Sequence, residues 1–175
     1  TIEVESKQGE GSKFTVTLEY RIADKSYYEQ DTEKFSDVDE TDRISGKHIL
    51  LAEDNDLNAE IAQFILEDMG LMVDRVEDGV QCVSRIEQKP AGTYDLILMD
   101  IQMPNMDGYR ATEMIRGLSD KNKANIPIIA MTANAFEEDR KKALAKGMNG
   151  HIAKPVDAEK VEKTICSVLG RQSEQ

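Results

Sequence analysis

The sequence predicts an α/β fold: a doubly wound parallel sheet of five strands with helices on both faces. Three observations carry this. From Gly46 onward, short apolar runs alternate with longer amphipathic stretches, the rhythm of strands joined by crossover helices. The runs are apolar throughout instead of alternating, as strands buried on both faces are. Glycines such as Gly70 and Gly147 punctuate the amphipathic stretches where helices should stop. In order, residues 48–52 form the first strand and residues 57–69 the first helix, with Ile61, Ile65 and Met69 on one stripe. Strands follow at 72–76, 96–99, 128–131 and 150–153, with helices at 79–88, 109–117 and 136–146 between them. In the last helix Val161, Ile165, Val168 and Leu169 keep the i, i+4, i+7, i+8 spacing, and Asp157 stands where a cap is needed.

The flanks read differently. Residues 1–22 contain Ile2-Glu3-Val4-Glu5 and the alternating Phe14-Thr15-Val16-Thr17-Leu18 around a glycine-containing stretch, which is a hairpin pattern. Two strands seldom hold together alone in water, so the hairpin should belong to a larger sheet or pack on something else. Residues 23–45 collect Asp31, Glu33, Asp37, Asp39, Glu40 and Asp42 without helical or strand periodicity, describing an acidic linker of low order with Tyr27, Tyr28 and Phe35 as local anchors. Residues 46–170 are the folded domain and 171–175 a tail. The chain opens on Thr1 and not Met, which reads as a piece of a longer protein.

Composition narrows the function. With 175 residues, 39% apolar and 32% charged, the chain suits one soluble domain with an appendage and excludes collagenous or wholly disordered classes. A net charge of -12 repels nucleic-acid phosphates and anionic membranes, and Arg140, Lys141 and Lys142 are set among Glu137, Glu138 and Asp139. Neither nucleic acid nor direct membrane contact is expected. No apolar run has the length of a membrane span, and no signal peptide is visible. Cys82 and Cys166 stand far apart without metal-ligand spacing, as thiols of a reducing compartment do.

In an open α/β sheet, ligands bind beyond the carboxyl ends of the strands. The first strand leads into Glu53-Asp54, the third into Asp100, the fourth into Thr132 and the fifth into Lys154-Pro155. In register, these place three carboxylates, a hydroxyl and an ammonium on one rim. Crowded carboxylates raise one another's pKa unless a cation compensates, and an all-oxygen set that leaves room for water suits Mg²⁺. Lys154 can neutralise one phosphoryl oxygen and Thr132 can donate to another, so the rim fits a transferred phosphoryl group. Glu53-Asp54 alone would read as an acidic helix start, but that explains none of the others. Asp107-Gly108 reads as a turn before a helix, Met99, Met103 and Met106 as packing residues, and His48 as an ordinary strand residue.

The run Leu96-Ile-Leu-Met-Asp100-Ile-Gln-Met-Pro104-Asn-Met-Asp-Gly108 lies downstream of Glu53-Asp54-Asn55. It is followed by Met131-Thr132-Ala133-Asn134 and Lys154-Pro155. Over about residues 46–169 this pattern closely resembles the response-regulator receiver family. The resemblance implies a flavodoxin-like sheet of order 2-1-3-4-5. It also implies a phosphoacceptor that takes a phosphoryl group from phosphohistidine onto Asp100 in an Mg²⁺-dependent reaction. Asp54, Asp100 and the backbone carbonyl of Gln102 would hold the metal, with Glu53 acting directly or through water. Thr132, the backbone amide of Ala133 and Lys154 would bind the phosphoryl oxygens, and Gln102 and Asn134 would tune hydrolysis of the phosphoaspartate. The Lys154-Pro155 bond is expected to be cis. The family usually carries Tyr or Phe as a rotating switch three residues before the lysine, whereas this chain has His151. An imidazole partnering Thr132 in that switch would make it weaker or pH-sensitive.

The segment Glu3-Val4-Glu5-Ser6-Lys7-Gln8-Gly9-Glu10-Gly11-Ser12-Lys13-Phe14-Thr15-Val16 resembles the final strands of the histidine-kinase ATP-binding domain. Together the two resemblances imply the receiver end of a hybrid sensor histidine kinase, without an ATP site of its own. The partners implied are the histidine phosphodonor domain of the same kinase and a separate histidine phosphotransfer protein, docking a helix near Leu57 and Asn58. The location implied is cytoplasmic, with the parent kinase free to be membrane-anchored. The fourth helix, fifth strand and fifth helix would form the output surface. A phosphatase of the haloacid-dehalogenase type would want an acid two residues after the nucleophile, where Gln102 stands. An unphosphorylated interaction module would not need the acidic rim.

Overall fold

The computed structural model describes residues 2–7, 9, 11–17, 44–133 and 137–170. Asn134, Phe136, nearly all of the expected linker and the tail lie outside the described residues. The chain divides into two compact units, Thr1–Val38 and Asp39–Gln175. In the first, β1 (Ile2–Lys7) pairs antiparallel with β2 (Gly11–Val16), from Ile2 opposite Val16 to Lys7 opposite Gly11. Strand alternation puts Ile2, Val4 and Val16 on one face, and all three are more than half exposed.

The second unit runs β3 (His48–Ala52), α1 (Asp56–Asp68), β4 (Met72–Val76), α2 (Gly79–Gln88), β5 (Leu96–Asp100) and α3 (Gly108–Arg116). It continues through α4 (Lys121–Ala124), β6 (Ile128–Thr132), α5 (Glu137–Ala145), β7 (Gly150–Ala153) and α6 (Ala158–Gly170). The sheet order is β4-β3-β5-β6-β7, all parallel, which is the 2-1-3-4-5 arrangement. Alternate residues of each strand enter opposite layers. Leu50, Ala52, Ile97, Met99, Ile128 and Ala130 pack with Cys82, Val83 and Ile86 of α2, Ala111 and Ile115 of α3, and Ala143 of α5. Ile49, Leu51, Leu98, Ile129, Met131 and Ile152 pack with Ala59, Ala62 and Leu66 of α1, and with Val161, Ile165 and Val168 of α6. β5 and β6 are buried along their whole length.

Five of the helices start on a side-chain cap. Asn55, Asp78, Asp107 and Asp120 accept amide hydrogens at the starts of α1, α2, α3 and α4. Asp157 does the same for Lys160 near the start of α6. Gly70 closes the turn after α1 at φ 76°, where a side chain would be strained. Two elements differ from the sequence reading. α1 buries Ala59, Ala62 and Leu66, while Ile61 is 45% exposed and Ile65 and Met69 are half-buried. The alanines let the helix approach the sheet closely, which turns the larger apolar side chains to the flank. α4, a single turn, was not expected because four residues are too few to show a period.

Candidate functional site

Parallel register brings the strand ends together. Ala52 lies opposite Met99, Asp100 opposite Met131, and Thr132 opposite Ala153. The residues at or just beyond these positions therefore share one rim, and the side chains of Glu53, Asp54 and Asp100 meet there. One carboxylate oxygen from each lies within 4.8 Å of the others. Glu53 is 1% exposed and Asp100 5%, whereas Asp54 is open to solvent. Lys154 reaches between the two buried acids, its Nζ 2.5 Å from Glu53 Oε2 and 2.6 Å from Asp100 Oδ2. Its backbone N–H donates to the Thr132 carbonyl at 2.8 Å, tying the two strand ends. The Lys154-Pro155 bond is cis, as expected.

Electrostatics at the rim are finely opposed. Burial pushes the Asp100 carboxyl above the usual carboxylate range, against the pull of the Lys154 ammonium and the Gln102 N–H, which donates to Oδ1 at 3.1 Å. Burial alone would lower Lys154, but its hydrogen bonds to Asp100 and Glu53 outweigh it and the ammonium is held above its ordinary range. The all-oxygen donor set of Glu53, Asp54 and Asp100, two members buried and one facing water, is one that Mg²⁺ accepts.

Of the other residues singled out from the sequence, Thr132 is buried at the end of β6 and Ala133 is exposed beside it. His151 is half-buried on β7 opposite Ala130. Asn134 lies outside the described residues. His48 is a strand residue whose ring lies tilted against Tyr94 with centroids 4.7 Å apart, Asp107 caps α3, and Met99 and Met103 are core residues.

Three supporting roles at the rim were missed. Asn58 donates to Glu53 Oε1 at 3.0 Å. Arg75 of β4 donates to the carbonyls of Glu53 and Asp54 and pairs with Asp56 at 2.8 Å, fixing the turn that carries both acids. Asp78 is buried behind the β5–α3 loop. Asn58 could have been found, since it stands on the first turn after the acids. Arg75 and Asp78 sit on another strand and its loop, and nothing in sequence spacing links them to the rim.

Residues 49–166 match the response regulator receiver domain family, and the chain belongs to that family. Among curated relatives, it is 37% identical over 123 residues to the sensor protein GacS of Pseudomonas syringae pv. syringae, a match covering 70% of this chain and 13% of that protein. It is 39% identical over 117 residues to the signal transduction histidine-protein kinase BarA of Escherichia coli K12, covering 67% and 12%. The matches thus span about an eighth of these kinases. Among solved structures, the receiver domain of a sensor histidine kinase from Pseudomonas aeruginosa has a magnesium ion coordinated in its active site cleft. It superposes with a TM-score of 0.64 at 40% identity over 72% of this chain and 99% of that one.

Proposed function

We propose that this chain is the phosphoacceptor module of a hybrid histidine kinase, accepting a phosphoryl group on Asp100. The observation that carries this reading is the single rim on which Asp100, two further carboxylates and the Lys154 ammonium meet. An Asp100 oxygen forms the new O–P bond as the N–P bond of a phosphohistidine breaks, and the departing imidazole takes up a proton. Lys154 would transfer its charge from the carboxylate pair to the phosphoryl oxygens, joined by the Thr132 hydroxyl and the Ala133 amide. Glu53, Asp54, Asp100 and the Gln102 carbonyl would hold Mg²⁺, which when bound neutralises phosphoryl charge. Gln102 and Asn134 would set the lifetime of the product, and His151 would follow Thr132 as the switch.

The phosphodonor reading has its own support on α1. Leu57, Ile61 and Phe64 are 65%, 45% and 72% exposed, an unburied apolar stripe next to Asn58 and the rim. Such a stripe suits a helix carrying the donor histidine, from the same kinase or from a separate histidine phosphotransfer protein. The exposed face of the hairpin supports its reading as the last strands of an ATP-binding domain, whose remaining layers would cover Ile2, Val4 and Val16. A cytoplasmic location accords with a phosphorelay.

Acetyl phosphate should label the wild-type chain stoichiometrically in Mg²⁺, with no label in EDTA or in Asp100→Asn. Labelling that survives Asp100→Asn, or needs no divalent ion, would overturn the reading.

A further inference from the structure

A third buried carboxylate, Asp78, lies outside the rim at the start of α2, 6% exposed. Among the described residues no cation pairs with it. Two donors hold it instead, the Gln81 backbone N–H to Oδ1 at 2.7 Å and the Asn105 side-chain amide to Oδ2 at 2.8 Å. Burying a carboxylate without a cation is costly, and capping α2 would need only the first bond. The second runs to the β5–α3 loop, the segment containing Gln102.

That loop is unusual where Asp78 grips it. Asn105 adopts φ 60°, the left-handed region, and is the only non-glycine residue among those described to do so. One residue further, the Met106 carbonyl accepts from the Gly79 N–H at 3.1 Å. A Cβ on Gly79 would meet that oxygen at 2.6 Å, so the two backbones approach as closely as only glycine allows. The β4–α2 loop therefore clasps the β5–α3 loop twice, by side chain and by backbone, a few residues from Gln102. At its near end the same loop is held by the Gln102 N–H on Asp100 Oδ1.

We infer that Asp78 and Asn105 are positioning residues that hold the β5–α3 loop so that Gln102 presents its carbonyl to the metal at the Asp100 rim. The inference rests on the metal reading above and adds to it a pair of residues outside the acidic cluster. Asn105→Gly keeps the left-handed backbone but removes the hydrogen bond, and Asp78→Ala removes both of its bonds. Asp78→Asn keeps an oxygen for Gln81 and offers an amide that Asn105 can face by rotating its own.

Mg²⁺ binding to the full chain, measured by calorimetry, should weaken about fivefold in Asn105→Gly, the ordinary worth of one hydrogen bond. It should weaken at least as much in Asp78→Ala and stay near wild type in Asp78→Asn. Without Mg²⁺, the Gln102 and Met106 amides should exchange faster in the first two variants. The Mg²⁺ concentration giving half-maximal acetyl phosphate labelling should rise by the same factor, while the rate at saturating Mg²⁺ stays within twofold. Equal Mg²⁺ affinity in the wild type and Asn105→Gly, with only thermal stability changed, would overturn the positioning role and leave the metal reading standing. A wild-type chain that does not bind Mg²⁺ would overturn both.

Discussion

Lys154 is one side chain shared by two buried carboxylates. Its ammonium compensates Glu53 and Asp100, which are 2% and 7% exposed in their side chains, and it is the only cation bonded to both among the described residues. Removing one member of a buried charged group leaves the others uncompensated, at a cost of roughly 3–5 kcal/mol. Lys154→Met should therefore lower the urea midpoint strongly in EDTA, and saturating Mg²⁺ should recover part of the loss by restoring positive charge. A loss that Mg²⁺ leaves untouched would mean the metal and the ammonium do not share these carboxylates. Lys154 was legible from the sequence because it follows an apolar run directly. Its two partners were legible as residues, but not the geometry that puts Nζ within hydrogen-bonding distance of both.

Among the elements, α1 carries apolar side chains on two faces, one in the core and one exposed. Leu66 is 1% exposed in the core and Ile61 is 45% exposed beside the rim. Leu66→Ala should cost about 2–5 kcal/mol by the cavity it leaves. Ile61→Asp should change stability by less than about 1 kcal/mol. It should nevertheless slow phosphotransfer from a histidine-bearing donor while acetyl phosphate labelling stays unchanged, since the small donor needs no docking helix. Equal slowing with both donors would place Ile61's effect in the chemistry and not in docking. Sequence periodicity located this helix to within a residue at each end but chose the wrong stripe. Weighting large apolar residues selects Ile61 and Ile65, whereas contact with the sheet is made through Ala59 and Ala62.

At the scale of the whole folded unit, a polar cluster on the edge strand β4 joins residues of β3, β4, α2 and the loop before β5. The Tyr94 hydroxyl donates to Asp74 Oδ2 at 2.6 Å, His48 approaches Oδ1 at 3.6 Å, and Arg85 lies 3.5 Å from Oδ2. The Tyr94 hydroxyl is the main reason that Asp74 sits below the usual carboxylate range. Partial burial opposes it, and His48 and Arg85 add to it. A carboxyl depressed in the folded state contributes stability above its unfolded pKa of about 4 and loses it as pH falls through the folded value. Because the Asp74 side chain is 41% exposed, solvent screening limits that contribution to about 0.5 kcal/mol. Asp74→Asn should therefore lower stability slightly at pH 6 and flatten the acid limb below pH 4 in urea titrations. An unchanged acid limb would exclude Asp74 from acid unfolding.

The sequence by itself determined the layered α/β order, the strand ends and the identities of Glu53, Asp54, Asp100, Thr132 and Lys154. These follow from local rules, since a short apolar run must be buried and the next polar residue must emerge at its end. Tertiary structure decided which stripe of α1 faces the sheet and where the amides of Asn58 and Asn105 point. It also decided that Arg75 and Asp78, far along the chain from Asp100, support the loops at the rim. Strand pairing and loop-to-loop hydrogen bonds join residues with no fixed sequence separation, so no periodicity encodes them and only the folded chain brings them together.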